Sequence, residues 1–168
     1  NDYLFEELFN VYWNRLHRLL FKITSDPDEA EDLCIQTYLQ LRKHLESLRR
    51  HENLAGWLYR TASNLGLNAL RAARRRSQYE QSAYDPGGSS SENPAKEVEA
   101  RQEREMVRKV LAELKPREAQ ILILRSSGFS YQELAEACQI SFSSVGTLLA
   151  RAERAFEKRF RACFGEYA

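Results

Sequence analysis

The sequence predicts an all-α protein made of two small helical domains that are joined by a flexible linker. Three observations predict this fold. Apolar residues recur every three or four positions over most of the chain, as on the buried face of a helix. Helix-capping residues precede these stretches, and one segment rich in Gly, Pro and Ser interrupts them. The predicted boundaries are residues 1–76 for the first domain, 77–96 for the linker and 97–168 for the second domain.

The first domain, of three to four helices, begins with a helix whose apolar stripe covers residues 5–23. Asp26 then stands at an N-cap position, and further acids fall in the first turn of a second helix. The inward-facing positions of that helix are Ala30, Leu33, Cys34, Tyr38, Leu41, Leu45 and Leu48. Ile35 and Leu39 fall on a different face. They therefore need a second partner, either another helix of the same domain or another protein.

The third helix is predicted from NLAGWLYRTASNLGLNALRAARRR, residues 53–76. Its expected core-facing stripe is Leu58, Ala62, Leu65, Ala69 and Ala72. A second stripe has the same spacing but starts one residue earlier, so its side chains lie along one edge of the helix. Its members are Trp57, Thr61, Asn64, Asn68 and Arg71. Amides and hydroxyls bind base edges, arginine binds phosphate, and aromatic rings stack on unpaired bases. This edge indicates a nucleic-acid surface, although the ring of Trp57 taken alone favours a core position.

Positive charge is concentrated in one segment of the chain. Residues 42–76 carry nine Lys and Arg against two Asp and Glu, whereas residues 1–41 carry three against eight. The net charge of the whole chain is only +1. The basic segment closes with four arginines, which are Arg71, Arg74, Arg75 and Arg76. Such a local excess of positive charge attracts a polyanion. The alternative interpretation is a basic helix face that is only solvated and binds no partner.

The next segment, SQYEQSAYDPGGSSSENPAKE, has the composition of a linker. It carries acids of its own, so we do not expect it to bind an anionic surface. Helical patterning resumes over residues 98–114 and ends before Pro116. That proline can open the next helix, which is predicted to stop near Gly128.

The stretch SYQELAEACQISFSSVGTLLARAERAF has the spacing of a helix-turn-helix. A capping box at Ser130 and Glu133 begins one helix, a turn follows near Gln139, and Ser141 caps the second helix. The residues assigned to the outward face of the second helix are Ser141, Phe142, Ser143, Ser144, Thr147, Arg151 and Arg154. Short polar groups followed by two arginines are typical of a recognition helix in a major groove, although plain helical hairpins have the same spacing.

The composition of the chain also argues against several classes of function. The chain has no stretch of 18 apolar residues and no signal-peptide pattern, so we expect a cytoplasmic protein without a membrane segment. Three widely spaced cysteines disfavour disulfides, and we expect buried free thiols. A metal-dependent enzyme would have to use His17, His44, His51 and Cys34. No carboxylate or cysteine partner lies at ligand spacing, so we predict no enzymatic activity, metal or cofactor.

Five segments resemble one family in the right order. They are EAEDLCIQTYLQL, WLYRTASNLGLNALR, the Gly/Ser/Pro linker, LKPREAQILILRSSGFSYQELAEA and SVGTLLARAERAF. Together they resemble the extracytoplasmic-function sigma factors of bacterial RNA polymerase, members of the primary sigma family. The resemblance implies a first domain that binds the polymerase clamp and melts the minus-ten promoter element. It implies a second domain that binds the flap and reads the minus-thirty-five element.

The resemblance also assigns residues and partners. The implied polymerase-binding residues are Asp32, Ile35, Gln36, Leu39 and Arg42. The implied minus-ten residues are Arg49, Arg50, His51, Asn53, Arg60, Asn64, Asn68, Arg71, Arg74, Arg75 and Arg76. The partners are RNA polymerase core and promoter DNA, with an anti-sigma factor as a further candidate.

This sequence departs from the family pattern at two places. Ile35 and Gln36 stand where the family often has Gln followed by an acid, in the polymerase-binding helix. Gly146 and Leu148 replace basic residues of the recognition helix and leave Arg151 as the main retained candidate. A stand-alone helix-turn-helix regulator that binds duplex DNA without polymerase is the alternative function. Such a regulator would have no use for exposed apolar residues on the second helix, so the sequence favours a promoter-specificity subunit.

Overall fold

The computed structural model describes residues 2–48, 53–80 and 93–165. Within these ranges the regular structure is entirely α-helical, as the sequence predicts. The helices are α1 (Asp2–Thr24), α2 (Pro27–Leu48), α3 (Leu54–Tyr79), α4 (Pro94–Glu113), α5 (Pro116–Ser126), α6 (Tyr131–Cys138) and α7 (Phe142–Phe164). We call α1–α3 the N-terminal half and α4–α7 the C-terminal half.

The predicted capping residues set where α2 and α6 begin. Asp26 accepts hydrogen bonds from the backbone N–H groups of Asp28 and Glu29, at 2.9 and 3.3 Å, and α2 starts one residue after it. Ser130 and Glu133 form both bonds of the capping box at the start of α6. These bonds satisfy N–H groups that have no partner within the helix. The predicted caps of α2 and α6 are therefore confirmed.

Leucines of α1, α2 and α3 fill the core of the N-terminal half, and every inward position predicted for α2 is buried. Helix α3 passes α1 very closely, since a Cβ built on Gly66 would lie 2.8 Å from the Cδ1 atom of Ile23. This close approach fixes which side of α3 faces inward. The predicted core stripe of α3 was correct at Leu58 and Ala62, but Leu65, Ala69 and Ala72 are only half-buried. The other buried positions of α3 are Gly56, Tyr59, Ser63, Gly66, Leu67 and Leu70.

The helix-turn-helix of the C-terminal half is confirmed. Helix α6 ends at Gln139, which adopts a left-handed conformation with φ of 55° and lets the chain turn. Val145 and Leu149 are buried and hold α7 against the preceding helices. Ser141 lies at the N-cap position of α7 as predicted, but its Oγ lies 2.6 Å from the Oγ of Ser144 instead of bonding a backbone N–H.

The two halves pack against each other along a surface that we call the seam, where α3 contacts α4, α5 and α6. The guanidinium of Arg15 on α1 pairs with the carboxylate of Glu133 on α6. The rings of Tyr59 and Phe129 meet edge to face, with centroids 4.6 Å apart. Arg108 on α4 donates to two carbonyls at the C-terminal end of α1, both at 2.9 Å. The seam thus combines apolar packing with buried polar contacts, and it explains why α3 buries more than one stripe.

The helices extend into the predicted linker. Helix α3 continues to Tyr79 and α4 begins at Pro94, so residues 77–79 and 94–96 are helical. Proline is well tolerated at the first position of a helix because that N–H has no intrahelical partner. Residues 81–92 lie outside the described ranges.

Candidate nucleic-acid and polymerase interface

The predicted amide edge of α3 lies partly at the surface. Asn64 and Asn68 are exposed, and Thr61 and Arg71 are half-buried. Trp57 is half-buried and packs against the core, in agreement with the core position that its ring favoured. Two exposed amides, one half-buried hydroxyl and one half-buried guanidinium therefore line this edge.

Asn64 makes a contact that the sequence did not indicate. Its Oδ1 accepts a hydrogen bond from the Nε2 atom of Gln120 on α5, at 3.0 Å. Gln120 is 7% exposed and also donates to the Oγ of Ser63 at 2.9 Å. The candidate base-reading amide is thus tied to the C-terminal half across the seam. No local pattern could reveal this, because Asn64 and Gln120 are 56 positions apart.

The loop before α3 contributes one described candidate. Asn53 is the N-cap of α3, and its side chain accepts a hydrogen bond from the backbone N–H of Gly56 at 3.1 Å. It therefore positions the start of the helix, which is a structural role. Arg60 is half-buried on α3 and donates to the carbonyl of Ala137 at 3.4 Å. The other candidates of this loop, Arg49, Arg50 and His51, lie outside the described residues.

The four arginines at the end of α3 have different surroundings. Arg75 and Arg76 are exposed. Arg74 forms an ion pair with Glu105 of α4, with an N–O distance of 2.5 Å. Burial, followed by repulsion from Arg75, lowers the pKa of Arg71. The structure thus brings part of the basic segment against α4 and leaves the rest facing solvent.

The second face of α2 carries exposed apolar side chains. Ile35 is 42% exposed and Leu39 is 54% exposed, so neither is covered by a helix in the part of the chain that the structure describes. Asp32, Gln36 and Arg42 are exposed beside them. Of the two partners that the sequence allowed for this face, a covering helix of the same domain is not found among the residues that the structure describes. The polymerase-binding candidates form one continuous mixed patch on α2.

The outward face of α7 is accessible at its N-terminal end. The exposed candidates are Ser141, Phe142, Ser143, Thr147, Arg151 and Arg154, and Ser144 is half-buried. Phe142 is 59% exposed. No heavy atom lies within 4 Å of a Cβ built on Gly146, so this position is open and a longer side chain would fit there without moving a neighbour. The retained arginines are free of the seam.

Sequence reasoning missed an apolar groove in the C-terminal half. The groove has a volume of about 500 Å³ and lies between α4, α5 and α7. Its apolar lining comes mainly from Val107, Leu111, Leu122 and Phe156. Val107 is 39% exposed, so this region offers a second apolar surface besides the α2 patch. The sequence does contain the apolar residues that line this groove, at helical spacing and in addition to those that fill the core. Whether they lie on one common surface depends on how the three helices pack.

The cysteines differ in burial. Cys34 and Cys138 are buried, and burial raises their thiol pKa to about 12 and about 11. Cys163 is only half-buried, which corrects the expectation of three buried thiols, and its Sγ lies 3.5 Å from a carboxylate oxygen of Glu113. Within the described ranges no three His, Cys, Asp or Glu side chains are close enough to hold a metal ion. His51 lies outside those ranges. None of the described helices could span a membrane.

Comparison with known proteins finds two family matches in order along the chain. The family described as sigma-70 region 2 matches residues 8–76, and the family described as sigma-70, region 4 matches residues 104–156. The RNA polymerase sigma factor YlaC of Bacillus subtilis is 29% identical over 91% of this chain and 90% of its own length. The ECF RNA polymerase sigma factor SigM of the same organism is 26% identical over 89% of this chain and 90% of its own length.

A solved structure supports the fold. The sigma factor RpoE of Bartonella quintana, crystallised with the anti-sigma factor NepR, is 21% identical and matches with a TM-score of 0.53. The match covers 94% of this chain and 96% of the other. The two sigma-70 regions occur here in order and together match more than half of the chain. The protein therefore belongs to the sigma-70 family, in its branch of extracytoplasmic-function sigma factors, the subunits that direct bacterial RNA polymerase to promoters.

Proposed function

We propose that this chain acts in the cytoplasm as a dissociable promoter-specificity subunit, which binds RNA polymerase core, recognises and melts promoter DNA, and has no enzymatic activity of its own. One observation carries the proposal. The chain holds two separate surfaces suited to DNA, the amide and arginine edge of α3 and the outward face of α7. These surfaces fall within the segments that match sigma-70 regions 2 and 4 respectively.

The α2 patch is proposed to bind the polymerase clamp. Ile35 and Leu39 expose about half of their surface, and burial against a partner would remove that apolar area from water. The apolar groove of the C-terminal half is proposed to bind the flap for the same reason. An anti-sigma factor that covered either surface would prevent polymerase binding.

The clamp assignment is testable with polar substitutions. We expect the double variant Ile35→Ser/Leu39→Ser to bind core polymerase about tenfold to a hundredfold more weakly, because about 2 kcal/mol of apolar burial is lost. Its free energy of unfolding should change by less than about 0.5 kcal/mol, since both side chains are exposed. Val11→Ser, at a 61% exposed position of α1, is the matched control and should bind normally. Equal binding by the double variant and the control would contradict the assignment.

The α3 edge is proposed to bind the melted minus-ten element. Pulling bases from the stack costs a few kcal/mol, and stacking surfaces, amide hydrogen bonds and phosphate contacts offset that cost. Asn64, Asn68 and the arginines of α3 supply the amides and cations. Residues 49–51 would add further contacts in the loop before α3.

The outward face of α7 is proposed to read the minus-thirty-five element in the major groove. Arg151 and Arg154 are the exposed cations on that face. Residues 116–168 carry a net charge of only +1, so few phosphate contacts are available. This half is therefore expected to bind DNA weakly by itself and to gain affinity through attachment to polymerase.

Promoter binding requires the two halves to separate. The minus-ten and minus-thirty-five elements lie about 25 base pairs apart, which corresponds to roughly 85 Å of duplex at 3.4 Å per pair. A compact chain of 168 residues has a radius of gyration of about 15 Å. The docked halves cannot span that distance, so we infer that the seam opens when polymerase and promoter are bound. Opening would also release Asn64 from Gln120.

The base-reading role of Asn64 has a matched control in its own seam partner. Asn64→Ala should reduce permanganate reactivity of the melted strand at a promoter while leaving core binding unchanged. Gln120→Ala removes the same seam hydrogen bond but leaves the Asn64 amide intact, so melting should persist or increase. If Asn64→Ala leaves the permanganate pattern unchanged, Asn64 does not read a base. Equal loss of melting in both variants would assign the effect to the seam instead.

A further inference from the structure

A basic cleft lies at the seam, where the last turns of α3 meet the second half of α4. Its volume is about 470 Å³, which falls within the usual range for small-molecule sites. Four cationic side chains line it: Arg71, Arg74, Arg75 and Lys109. Ser77, Gln78 and Glu113 are the other polar residues of the lining. Cations from both halves thus face one open recess.

The acids near the cleft are already engaged. Glu105 pairs with Arg74 at 2.5 Å and with Arg108 at 2.9 Å. Glu113 accepts from Arg159 at 2.5 Å, and this bond lowers the pKa of its carboxyl. Glu105 is therefore shared between two arginines, and Glu113 also attracts Lys109 electrostatically, so Arg71 and Arg75 are the cleft cations that lack an ion pair among the described residues. A concentration of like charge in a recess raises the local concentration of an anion.

Arg71 gives the most specific sign of a missing anion. Its Nη2 atom is buried and has no hydrogen-bond partner among the described residues. Burial lowers the pKa of this guanidinium, and the neighbouring charge of Arg75 lowers it further. A buried donor on a charged group is unfavourable unless an acceptor is supplied. Phosphate oxygens match the fork of a guanidinium particularly well.

We propose that this cleft is a binding site for a small soluble anion that carries two or more phosphates. Arg71 and Arg75 would bind it from α3 and Lys109 from α4, with Ser77 and Gln78 as additional hydrogen-bonding groups. Because the site is built from both halves, a bound ligand stabilises the docked arrangement by mass action. It would therefore oppose the opening that promoter binding requires. The site goes beyond the promoter function and is tested without polymerase or promoter.

The test is isothermal titration calorimetry of the full chain with inorganic triphosphate at constant ionic strength. We expect saturable binding to one site. Arg71→Gln and Lys109→Gln should each weaken binding by about tenfold, because each removes one charged partner of the anion. Arg101→Gln is the matched control, since it removes the same charge from an exposed position of α4 outside the cleft. It should bind within about twofold of the unmodified protein. If Arg71→Gln does not fold, Arg75→Gln replaces it.

Four outcomes overturn the proposal. The first is absence of saturable binding. The second is equal weakening by Arg101→Gln, which would indicate diffuse attraction. The third is unchanged binding by Lys109→Gln, which would confine any site to α3. The fourth concerns the source of the phosphate: if a five-nucleotide oligodeoxythymidylate binds as tightly as triphosphate with the same dependence on variants, the cleft takes nucleic-acid backbone and not a small soluble anion.

Discussion

The ion pair between Arg15 and Glu133 is expected to hold the two halves together. Arg15 donates from both terminal nitrogens to the two carboxylate oxygens, and it also donates to the hydroxyl of Tyr59 at 2.9 Å. Its guanidinium carbon lies 4.1 Å from the centroid of the Phe129 ring. Hydrogen bonding between the partners raises the pKa of Arg15 and lowers that of Glu133. One side chain of α1 thus contacts Tyr59 within its own half and both Glu133 and Phe129 across the seam.

The expected strength follows from this geometry. The side chains retain 33% and 26% of their exposure, so solvent screens the pair only in part. Exposed ion pairs contribute about 0–1 kcal/mol, and hydrogen bonds between charged groups about 1.5–3 kcal/mol. We therefore expect a coupling energy of about 1–2 kcal/mol. Arg15→Met should cost about 2–3 kcal/mol in total, because it also loses the cation–π contact with Phe129, worth about 0.5–1 kcal/mol.

A double-mutant cycle measures this coupling. The four proteins are the unmodified chain, Arg15→Met, Glu133→Gln and the double variant, each unfolded by urea at pH 7. Glutamine is chosen because Gln also serves in a capping box, so the start of α6 remains capped. Small-angle X-ray scattering of the folded variants reports docking, since separation of the halves raises the radius of gyration above the roughly 15 Å of a compact chain. A coupling below about 0.3 kcal/mol would refute the reasoning.

The same pair predicts a pH dependence. The pKa of Glu133 is lower in the folded protein than in the unfolded chain, where it is about 4.3. The folded state therefore gains stability from the ionised carboxylate above that value and loses the gain as pH falls through the lower folded pKa. We expect the coupling to be constant from pH 7 to about pH 5 and to disappear in more acid solution. A coupling that increased on acidification would contradict the assignment.

The remaining predictions concern two glycines and three thiols. A Cβ on Gly56 would lie 3.0 Å from the carbonyl carbon of Glu136, so Gly56→Ala should force α6 to shift slightly from α3 and lower the free energy of unfolding in urea by about 1–3 kcal/mol. Unchanged stability would mean that the seam tolerates the methyl group. Gly146 lies in open space, so Gly146→Ala should stabilise the protein to urea by about 0.5–1 kcal/mol. Ellman's reagent at pH 7.5 should react rapidly with the half-buried Cys163 alone, because burial keeps the other two thiols protonated and covered; three equally fast thiols would indicate an unfolded or opened chain.

Several features of the site could be predicted from the sequence because they depend on near neighbours. The cap of α2 at Asp26 and the capping box of α6 join residues two or three positions apart. The exposure of Ile35 and Leu39 follows from helical periodicity once the opposite face of α2 is buried. The helix-turn-helix follows from the capping box of α6, the turn at Gln139 and a serine at the N-cap position of α7. Such contacts are fixed by local geometry, so a single sequence contains the information needed to predict them.

The sequence by itself thus determined the helices, the caps of α2 and α6, the helix-turn-helix and the concentration of basic charge. Only the tertiary structure decided that the halves dock, that Asn64 is held by Gln120 and that Arg71 has a buried nitrogen without a partner. Arg15 and Glu133 are 118 positions apart, and nothing in the spacing of either residue indicates the other. The physical reason is how far apart along the chain the interacting residues lie. Helix formation depends on residues within one or two turns, whereas docking depends on the shapes and charges of whole helix faces that meet only after folding.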